Sequence, residues 1–382
     1  SWRLKYQETD CLIDKKRRAA SNGVDTNLWR RIDMDWTGDP RTIDDSVFMK
    51  ACRREEVPFT PIWLMRQIGR YQRDYRKFKG NESFVNLPAD IAAELTLMAV
   101  ERLGVDAAII LADLLPIIIP MGFHLEYIKG VGPVIDNPVR TGKDLDRIID
   151  SDASELQYVY DALSIVRKAL RPDIALIGFC GAPFTVASYI IEGGKSNDYA
   201  HTKSLMHSDE IAWHDLMQRL VKISIDYLTR QIDAGANAVQ VFDSWVGTLS
   251  PQEYEKYVQP HVVDLINAAK TKGAPVIHFA TDCTDLLPLI KATGCDVVGV
   301  DWRINLEDAW SLLDDDQAIM GNLDPQVLLK PPSQIRAAAK AVLDQADGRP
   351  GHIFNLGHGI SPDMPFEHVA ELVAIVHELS KR

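Results

Sequence analysis

A cluster of basic side chains between residues 66 and 77 is the strongest chemical signal in this sequence of 382 residues. It holds five basic side chains and one acidic one, a local charge of +4 in a chain whose net charge is −12. Arg66 ends an apolar run and Arg70 follows one glycine-assisted turn later, so both can converge on one place. Guanidinium groups bind carboxylate or phosphate through paired hydrogen bonds and stay charged at working pH. We interpret the pair as a clamp for an anionic substrate; a solvated basic loop is the alternative.

Asp113 is an isolated acid in an otherwise apolar stretch, residues 107–116. An ionised carboxylate in such surroundings is unfavourable unless a cation or a hydrogen-bond donor meets it. Asp113 therefore either caps the turn that follows or is the working acid of a site.

Three further polar residues stand where a ligand can reach them. Tyr189 follows a segment of small residues, 178–185, that lets the backbone approach a ligand, although packing alone also explains small residues. His358 stands between two glycines, which leave it open to a ligand. Ser244 has no GxSxG motif around it and no histidine in its loop, so we interpret it as a hydrogen-bond donor rather than a hydrolase nucleophile.

The elements that must position these residues alternate between short apolar runs and longer segments with helical spacing. The predicted strands are 60–65, 106–111, 174–179, 237–242, 275–279, 296–300, 317–320 and 352–355. The predicted helices are 89–103, 153–170, 210–234, 251–272, 282–293, 332–345 and 365–379.

This alternation predicts an α/β protein built as a single (β/α)8 TIM barrel. Parallel strands need helical crossovers, and eight such strands close a sheet. Residues at the carboxyl ends of the strands then form the active site. A doubly wound open sheet is the alternative, but no GxGxxG motif follows any predicted strand.

Composition and charge exclude several classes of protein. No apolar run reaches the roughly 18 residues of a membrane helix, so we expect no membrane span. An isoelectric point near 5.3 argues against a nucleic-acid partner. Five thinly spread cysteines without a CxxC pair predict neither a disulfide framework nor a zinc site, and they favour a reducing, cytoplasmic location.

Residues 1–45 differ from the rest of the chain. Their nine basic residues are matched by nine acidic ones, unlike a transit peptide, and they contain no apolar signal-peptide core. We interpret 1–45 as an N-terminal extension that forms a surface arm, and 46–382 as the barrel domain.

Four motifs between about residue 45 and the C-terminus resemble those of the uroporphyrinogen decarboxylase family. They are PIWLMRQIGRY at 61–71, GFCGAPFT at 178–185, GNLDP at 321–325 and NLGHG at 355–359. The resemblance implies a TIM-barrel carboxy-lyase of haem biosynthesis that needs no cofactor and no metal ion. Its reaction removes the four acetate carboxyls of uroporphyrinogen III and gives coproporphyrinogen III and carbon dioxide. It also implies a homodimer.

The resemblance also implies roles for individual residues. Asp113 is expected to accept the pyrrole N–H groups and to stabilise the protonated pyrrole that serves as electron sink. The expected catalytic residues are Asp113, Arg66, Tyr189 and His358. The expected substrate-binding residues are Arg66, Gln67, Arg70, Asp113, Tyr189, Ser244 and His358. The proton donor stays open between Arg66, His358 and a substrate carboxyl, because a guanidinium with a pKa above ~12 releases its proton reluctantly.

Two other functions compete with this one. A corrinoid-linked zinc methyltransferase has a related barrel but binds zinc through a His-x-Cys pair and a later cysteine, whereas this chain has Ala280 two residues after His278. A catalytically silent, porphyrin-binding relative is expected to have lost Asp113 or an arginine, and this chain retains them.

Overall fold

The computed structural model describes residues 42–80, 83–85, 87–313 and 317–382. The surface arm predicted for residues 1–45 lies, apart from 42–45, outside this described part. Ile43–Asp45 form a 3-10 turn, and Ser46 then caps helix α1 (Val47–Cys52) by accepting a hydrogen bond from the Met49 amide.

Seven parallel strands form one curled sheet in which neighbours in space are neighbours in chain order. The strands are β1 (Ala107–Ile109), β4 (Ala175–Gly181), β5 (Ala238–Asp243), β6 (Val276–Ala280), β7 (Val297–Gly299), β8 (Ala318–Leu323) and β9 (His352–Leu356). Nearly all of their residues are buried, which explains why they appear in the sequence as continuous apolar runs. A separate antiparallel hairpin, β2 (Leu125–Ile128) with β3 (Gly132–Ile135), follows β1.

The prediction of eight strands is confirmed for seven of them and is wrong for the first. Residues 60–65 make one isolated bridge, Ile62 to Phe354, instead of a strand. Pro61 has no N–H to donate, and the Ile62 amide donates to the Asp106 carboxylate at 2.8 Å, so a regular ladder cannot continue. The segment nevertheless lies between the two edges of the sheet. The main-chain amide of Phe354, on β9, donates to the Pro61 carbonyl, and the main-chain amide of Asp106, just before β1, donates to the Ile62 carbonyl, each at 2.8 Å.

Helices connect successive strands, as the spacing predicts. Those that match predicted segments are α3 (Ala89–Leu103), α4 (Gln157–Ala169), α7 (Glu210–Asp233), α8 (Pro251–Tyr257), α9 (Gln259–Lys270), α10 (Leu287–Lys291), α12 (Pro332–Ala346) and α13 (Phe366–Leu379). Outside the predicted segments lie α1, α2 (Arg73–Lys79), α5 (Pro183–Glu192), α6 (Ala200–Ser208) and α11 (Leu306–Leu312), as well as the hairpin.

Local chemistry explains where several helices end. Gly104 takes a left-handed conformation (φ 70°) and stops α3, as a C-terminal glycine does. The single predicted segment 251–272 is two helices, because Pro260 has no N–H to donate to the Lys256 carbonyl and its ring crowds that carbonyl, so the chain turns at Val258.

One hydrophobic core fills the space between sheet and helices, with Trp63, Trp213 and Trp310 among its largest fully buried side chains. Among the described helices, none has the length and apolar character needed to cross a membrane.

Candidate active site

A cavity of about 410 Å³ lies at the carboxyl ends of the strands. Its apolar walls come from the strands themselves and include Ile109, Phe179, Phe242 and Phe279. Its polar lining consists of Arg66, Arg70, Asp113, Tyr127, Tyr189, Lys195, Ser244 and His358. The cavity therefore collects six of the seven predicted site residues, together with two that the sequence analysis did not single out.

The backbone at Arg66 is held in an unusual conformation. Its φ of 61° lies in the left-handed region, which costs a residue other than glycine roughly 1–3 kcal/mol. Asn355 on β9 accepts a hydrogen bond from the Met65 amide at 3.0 Å, and the Ile360 amide donates to the Met65 carbonyl at 3.0 Å. These contacts tie the arginine turn to the chain after β9, so the sheet geometry determines where Arg66 stands.

Positive charge outweighs negative charge in the cavity. Arg66, Arg70 and Lys195 line it, while Asp113 is its one acidic lining residue within the described part of the chain. Burial, and then the charge of Arg70, lower the pKa of Arg66. Two arginines pushed together in this way are stabilised by an anion that binds between them, so the arrangement suits a ligand carrying several carboxylates.

Asp113 fits both alternatives that the sequence left open. Its Oδ1 accepts a hydrogen bond from the Leu115 amide at 3.1 Å, which caps the turn, and one from the Tyr127 hydroxyl at 2.5 Å. The residue also lines the cavity, as the working-acid alternative requires. Burial raises the pKa of Asp113, while the Tyr127 hydroxyl, the Leu115 and Leu114 amides and the Arg66 charge oppose that rise.

Tyr127 and Lys195 are the lining residues that sequence reasoning missed. Tyr127 comes from the β2–β3 hairpin, for which Gly130 in the turn and Gly132 at the start of β3, with φ of 83° and 106°, were an available signal. Lys195 follows the paired glycines that end α5, and nothing in its local sequence marks it as a site residue.

Tyr189 and Ser244 stand on neighbouring walls. The ring of Tyr189, on α5, packs edge-on against Trp245 with centroids 5.9 Å apart. Burial, and then the nearby charge of Asp113, raise the pKa of Tyr189 to about 12, so its phenol stays protonated and can donate. Ser244 follows β5; its carbonyl accepts a hydrogen bond from the Thr281 hydroxyl at 2.7 Å, and the residue lines the cavity.

His358 is a neutral group in this site. Burial, followed by the charges of Arg66 and Arg303, lowers its pKa to about 4. Its ring packs edge-on against Trp302, with centroids 6.4 Å apart. A side chain on the preceding Gly357 would place a Cβ 2.4 Å from the Trp302 amide, so a larger residue cannot occupy that position without moving backbone. The imidazole can therefore donate or accept a hydrogen bond near neutral pH, but it is not a cation.

The structure does not bring Gln67 to the cavity wall. Its side chain is fully buried, with the amide donating to the Ala107 carbonyl at 3.1 Å and accepting from the Leu64 amide at 3.0 Å. Both ends of the side chain are engaged by main chain, and the substrate-binding role expected for Gln67 stays a prediction from the resemblance. The residue fastens the arginine turn to β1.

A second buried polar cluster lies outside the cavity lining. Asp243 accepts a hydrogen bond from the Thr185 hydroxyl at 3.1 Å and lies 3.4 Å from the Nε2 of His278, all three side chains being buried. His278 is the histidine that the methyltransferase alternative requires. Within the part of the chain that the structure describes, no group of three or more His, Cys, Asp and Glu side chains is arranged to hold a metal ion.

Comparisons with known proteins identify the family of this chain. Residues 44–379 match the family model described as uroporphyrinogen decarboxylase. A protein of that name from Carboxydothermus hydrogenoformans is 48% identical over 339 residues, which cover 88% of this chain and 97% of the relative. Its namesake from Chloroflexus aurantiacus is 48% identical over 336 residues, which cover 86% and 94%.

A solved structure supports the fold alone. A methyltransferase from Methanosarcina mazei superposes with a TM-score of 0.76 at 20% identity, covering 88% of this chain and 99% of that one. At that identity the likeness says nothing about chemistry. The match to the family model, the extent of the identity to the curated relatives and the six cavity residues lead to one conclusion: the chain belongs to the uroporphyrinogen decarboxylase family.

Proposed function

We propose that this chain decarboxylates the four acetate side chains of uroporphyrinogen III, giving coproporphyrinogen III and carbon dioxide without a cofactor. The observation that carries the proposal is Asp113, a partly buried carboxylate in a cavity that also holds three cationic side chains. A cyclic tetrapyrrole offers N–H donors at its centre and carboxylates around its edge. A central anion with cations around it is the complementary arrangement.

The cations bind the substrate's carboxylates. Arg66 and Arg70 present planar guanidinium groups from one loop, and Lys195 approaches from the chain after α5. Binding carboxylates that do not react contributes energy to holding the reacting acetate in place. Tyr189 and Ser244 donate hydrogen bonds on the neighbouring walls.

The chemical step needs an electron sink. Protonation of the ring α-carbon next to the carbon that bears the acetate gives a cation whose charge is shared by the acetate-bearing carbon. The bond between the acetate methylene and its carboxylate then breaks, carbon dioxide leaves, and the electron pair of that bond forms an exocyclic C=CH2 double bond that neutralises the cation. A proton added to this exocyclic methylene carbon and the loss of the extra proton from the ring α-carbon restore the pyrrole and complete the conversion of acetate to methyl. Asp113 stabilises the cationic intermediate because its charge is already fixed beside the ring.

The neutral state of His358 narrows the choice of acid. With a pKa of about 4, little imidazolium exists at neutral pH, so we assign His358 a hydrogen bond to a substrate carboxylate. The proton donor is then Arg66, whose pKa is lowered by burial, or a carboxyl of the substrate itself.

Three finer features complete the proposal. Residues 60–65, although they form no regular strand, occupy the eighth position and close the TIM barrel between β9 and β1, which the hydrogen bonds from the Phe354 and Asp106 amides support. The homodimer and the cytoplasmic location stay predictions from the sequence; sedimentation of the purified chain tests the first, and a monomer at micromolar concentration would contradict it.

Anaerobic incubation of the purified chain with uroporphyrinogen tests the function, with products separated by carboxyl number. We expect products with seven, six, five and four carboxyls in a reaction that strong chelators do not inhibit, and none of them with Asp113→Asn. Binding without release of carbon dioxide would make the protein a silent relative. Activity lost on chelation and restored by zinc would favour the methyltransferase alternative.

A further inference from the structure

The β2–β3 hairpin brings a second side chain to Asp113. The Tyr127 hydroxyl donates to Oδ1 of Asp113 at 2.5 Å, and the Tyr127 ring packs edge-on against Phe84 with centroids 6.2 Å apart. The phenol is therefore held by ring packing on one side and by a carboxylate on the other. Both bonds to Asp113 from Tyr127 and Leu115 fall on Oδ1, so they leave the lone pairs of Oδ2 to other donors.

The hairpin is fastened to the opposite wall of the cavity. Its last residue, Ile135, donates to the Gly193 carbonyl at 2.9 Å, and Val134 forms an antiparallel bridge with Gly194. These glycines end the helix that carries Tyr189 and precede Lys195. The position of Tyr127 is thus tied to the cavity wall rather than to the hairpin alone.

Asp113 needs a donor before any substrate arrives, because its apolar neighbours disfavour the charged form. The charged and titratable groups that face it are Arg66 from the first loop, Tyr75 from α2, Tyr127 from the hairpin, Tyr189 from α5 and Tyr227 from α7. Of these side chains, Tyr127 alone donates a hydrogen bond to the carboxylate within the described part of the chain.

We propose that Tyr127 is a positioning residue that orients the Asp113 carboxylate before substrate binds and leaves Oδ2 to the pyrrole N–H groups of the tetrapyrrole. The substrate in this statement rests on the proposed function, whereas the contact between the two side chains does not. A tyrosine in this position acts on the reaction through Asp113 and does not itself touch the reacting acetate.

Removal of the Tyr127 hydroxyl should change the pKa of Asp113 in one direction. A donor that favours the charged carboxylate holds the pKa of Asp113 down, so Tyr127→Phe raises it. The carboxylate then protonates earlier as the pH falls. Activity should decline at a higher pH than in the parent and recover at alkaline pH, whereas a merely structural lesion would lower it at every pH.

The experiment compares Tyr127→Phe with Tyr160→Phe. Tyr160→Phe also removes a phenol hydroxyl, which in the parent donates a hydrogen bond to the Ala153 carbonyl at 2.7 Å. Tyr160 lies on helix α4, away from the cavity. Infrared titration of protein labelled with [4-13C]aspartate, with the Asp113→Asn spectrum subtracted, follows the Asp113 carboxyl directly. We expect its pKa to rise by about one to two units in Tyr127→Phe and to stay unchanged in Tyr160→Phe.

Two readouts separate this inference from the proposed function. An Asp113 titration that does not move in Tyr127→Phe overturns the positioning role, whatever the enzyme does. A parent chain that releases no carbon dioxide from uroporphyrinogen overturns the function, while the infrared titration still decides the role of Tyr127. If the positioning role and the proposed function are both correct, the acidic limb of the pH profile of kcat/KM in Tyr127→Phe moves to higher pH together with the Asp113 pKa.

Discussion

The side chain of Arg66 passes directly over Gly359. A Cβ atom built on that glycine would lie 2.4 Å from the Cδ of Arg66 and 2.6 Å from its Cγ. The glycine that follows His358 therefore makes room for the arginine, so two motifs distant in the sequence have matched shapes in the cavity. An arginine is flexible enough to move away from a methyl group, but then its guanidinium no longer stands where the backbone places it.

The first prediction follows from this contact. Gly359→Ala should keep the fold but displace Arg66, raising KM for uroporphyrinogen about tenfold, the equivalent of ~1.4 kcal/mol. In an Arg66→Ala background the same substitution should have little further effect, because the side chain it displaces is gone. Additive effects in the double variant would show that Gly359 acts on something other than Arg66.

The second prediction concerns the shape of the cations. Arg66→Lys and Arg70→Lys keep the charge but lose the planar fork, so each should lower kcat/KM by roughly 30- to 150-fold, or ~2–3 kcal/mol of transition-state stabilisation, with unfolding unchanged. Steady-state kinetics under anaerobic conditions measure this loss. Unchanged kinetics in both variants would place the carboxylate clamp elsewhere.

The third prediction isolates the charge of Asp113. Asp113→Asn keeps the size of the side chain but removes its charge and points amide N–H donors at the pyrrole N–H donors, so almost no activity should remain. Asp113→Glu restores the charge and should retain part of the activity. The four-carboxyl product, measured for both variants beside Asp113→Ala, tests this ranking. An active Asn variant beside an inactive Glu variant would mean that geometry governs the site.

The fourth prediction tests Lys195 as a carboxylate-binding group. Lys195→Met should raise KM several-fold and leave kcat nearly unchanged, since the lysine binds a carboxylate that does not react. Lys168→Met on the outer helix α4 is the matched control, because it removes the same charge away from the cavity. Equal effects of the two substitutions would mean that only net charge matters.

The fifth prediction concerns acid stability. The pKa of His358 falls from 6.5 to about 4 on folding, so between those values the unfolded chain binds a proton that the folded chain excludes. Stability is therefore lost as the pH falls from about 6.5 towards 4. His358→Asn removes this contribution, so urea unfolding at pH 7 and pH 4.5 should show a smaller acid-induced loss than in the parent. Buried His261 and His352, whose pKa values are also lowered to about 4, remain in both proteins as a common background.

The sequence by itself determined seven of the eight predicted strands, most of the long helices and their order along the chain. Helix α3 occupies the predicted range, and seven predicted runs became strands, because apolar spacing and local turn residues such as Gly104 act over a few residues. The sequence also predicted which residues line the site, namely Arg66, Asp113, Tyr189, Ser244 and His358. Residues that follow parallel strands must meet at one end of the sheet.

Contacts between distant segments decided the rest. Whether residues 60–65 form a strand depends on the Asp106 carboxylate, which captures the Ile62 amide. Gln67 and Arg66 are adjacent in the chain, yet the side-chain amide of Gln67 forms hydrogen bonds to main-chain groups of Leu64 and Ala107, whereas Arg66 lines the cavity.

The protonation state of each ionisable group likewise depends on the tertiary structure. Burial, and then the charges of Arg66 and Arg303, lower the pKa of His358 and keep it neutral. Asp113 meets the Tyr127 hydroxyl because the β2–β3 hairpin brings that side chain to the cavity. Burial and charge act through space between atoms that folding brings together, so neither the lowered pKa of His358 nor the role of Tyr127 follows from the order of residues along the chain.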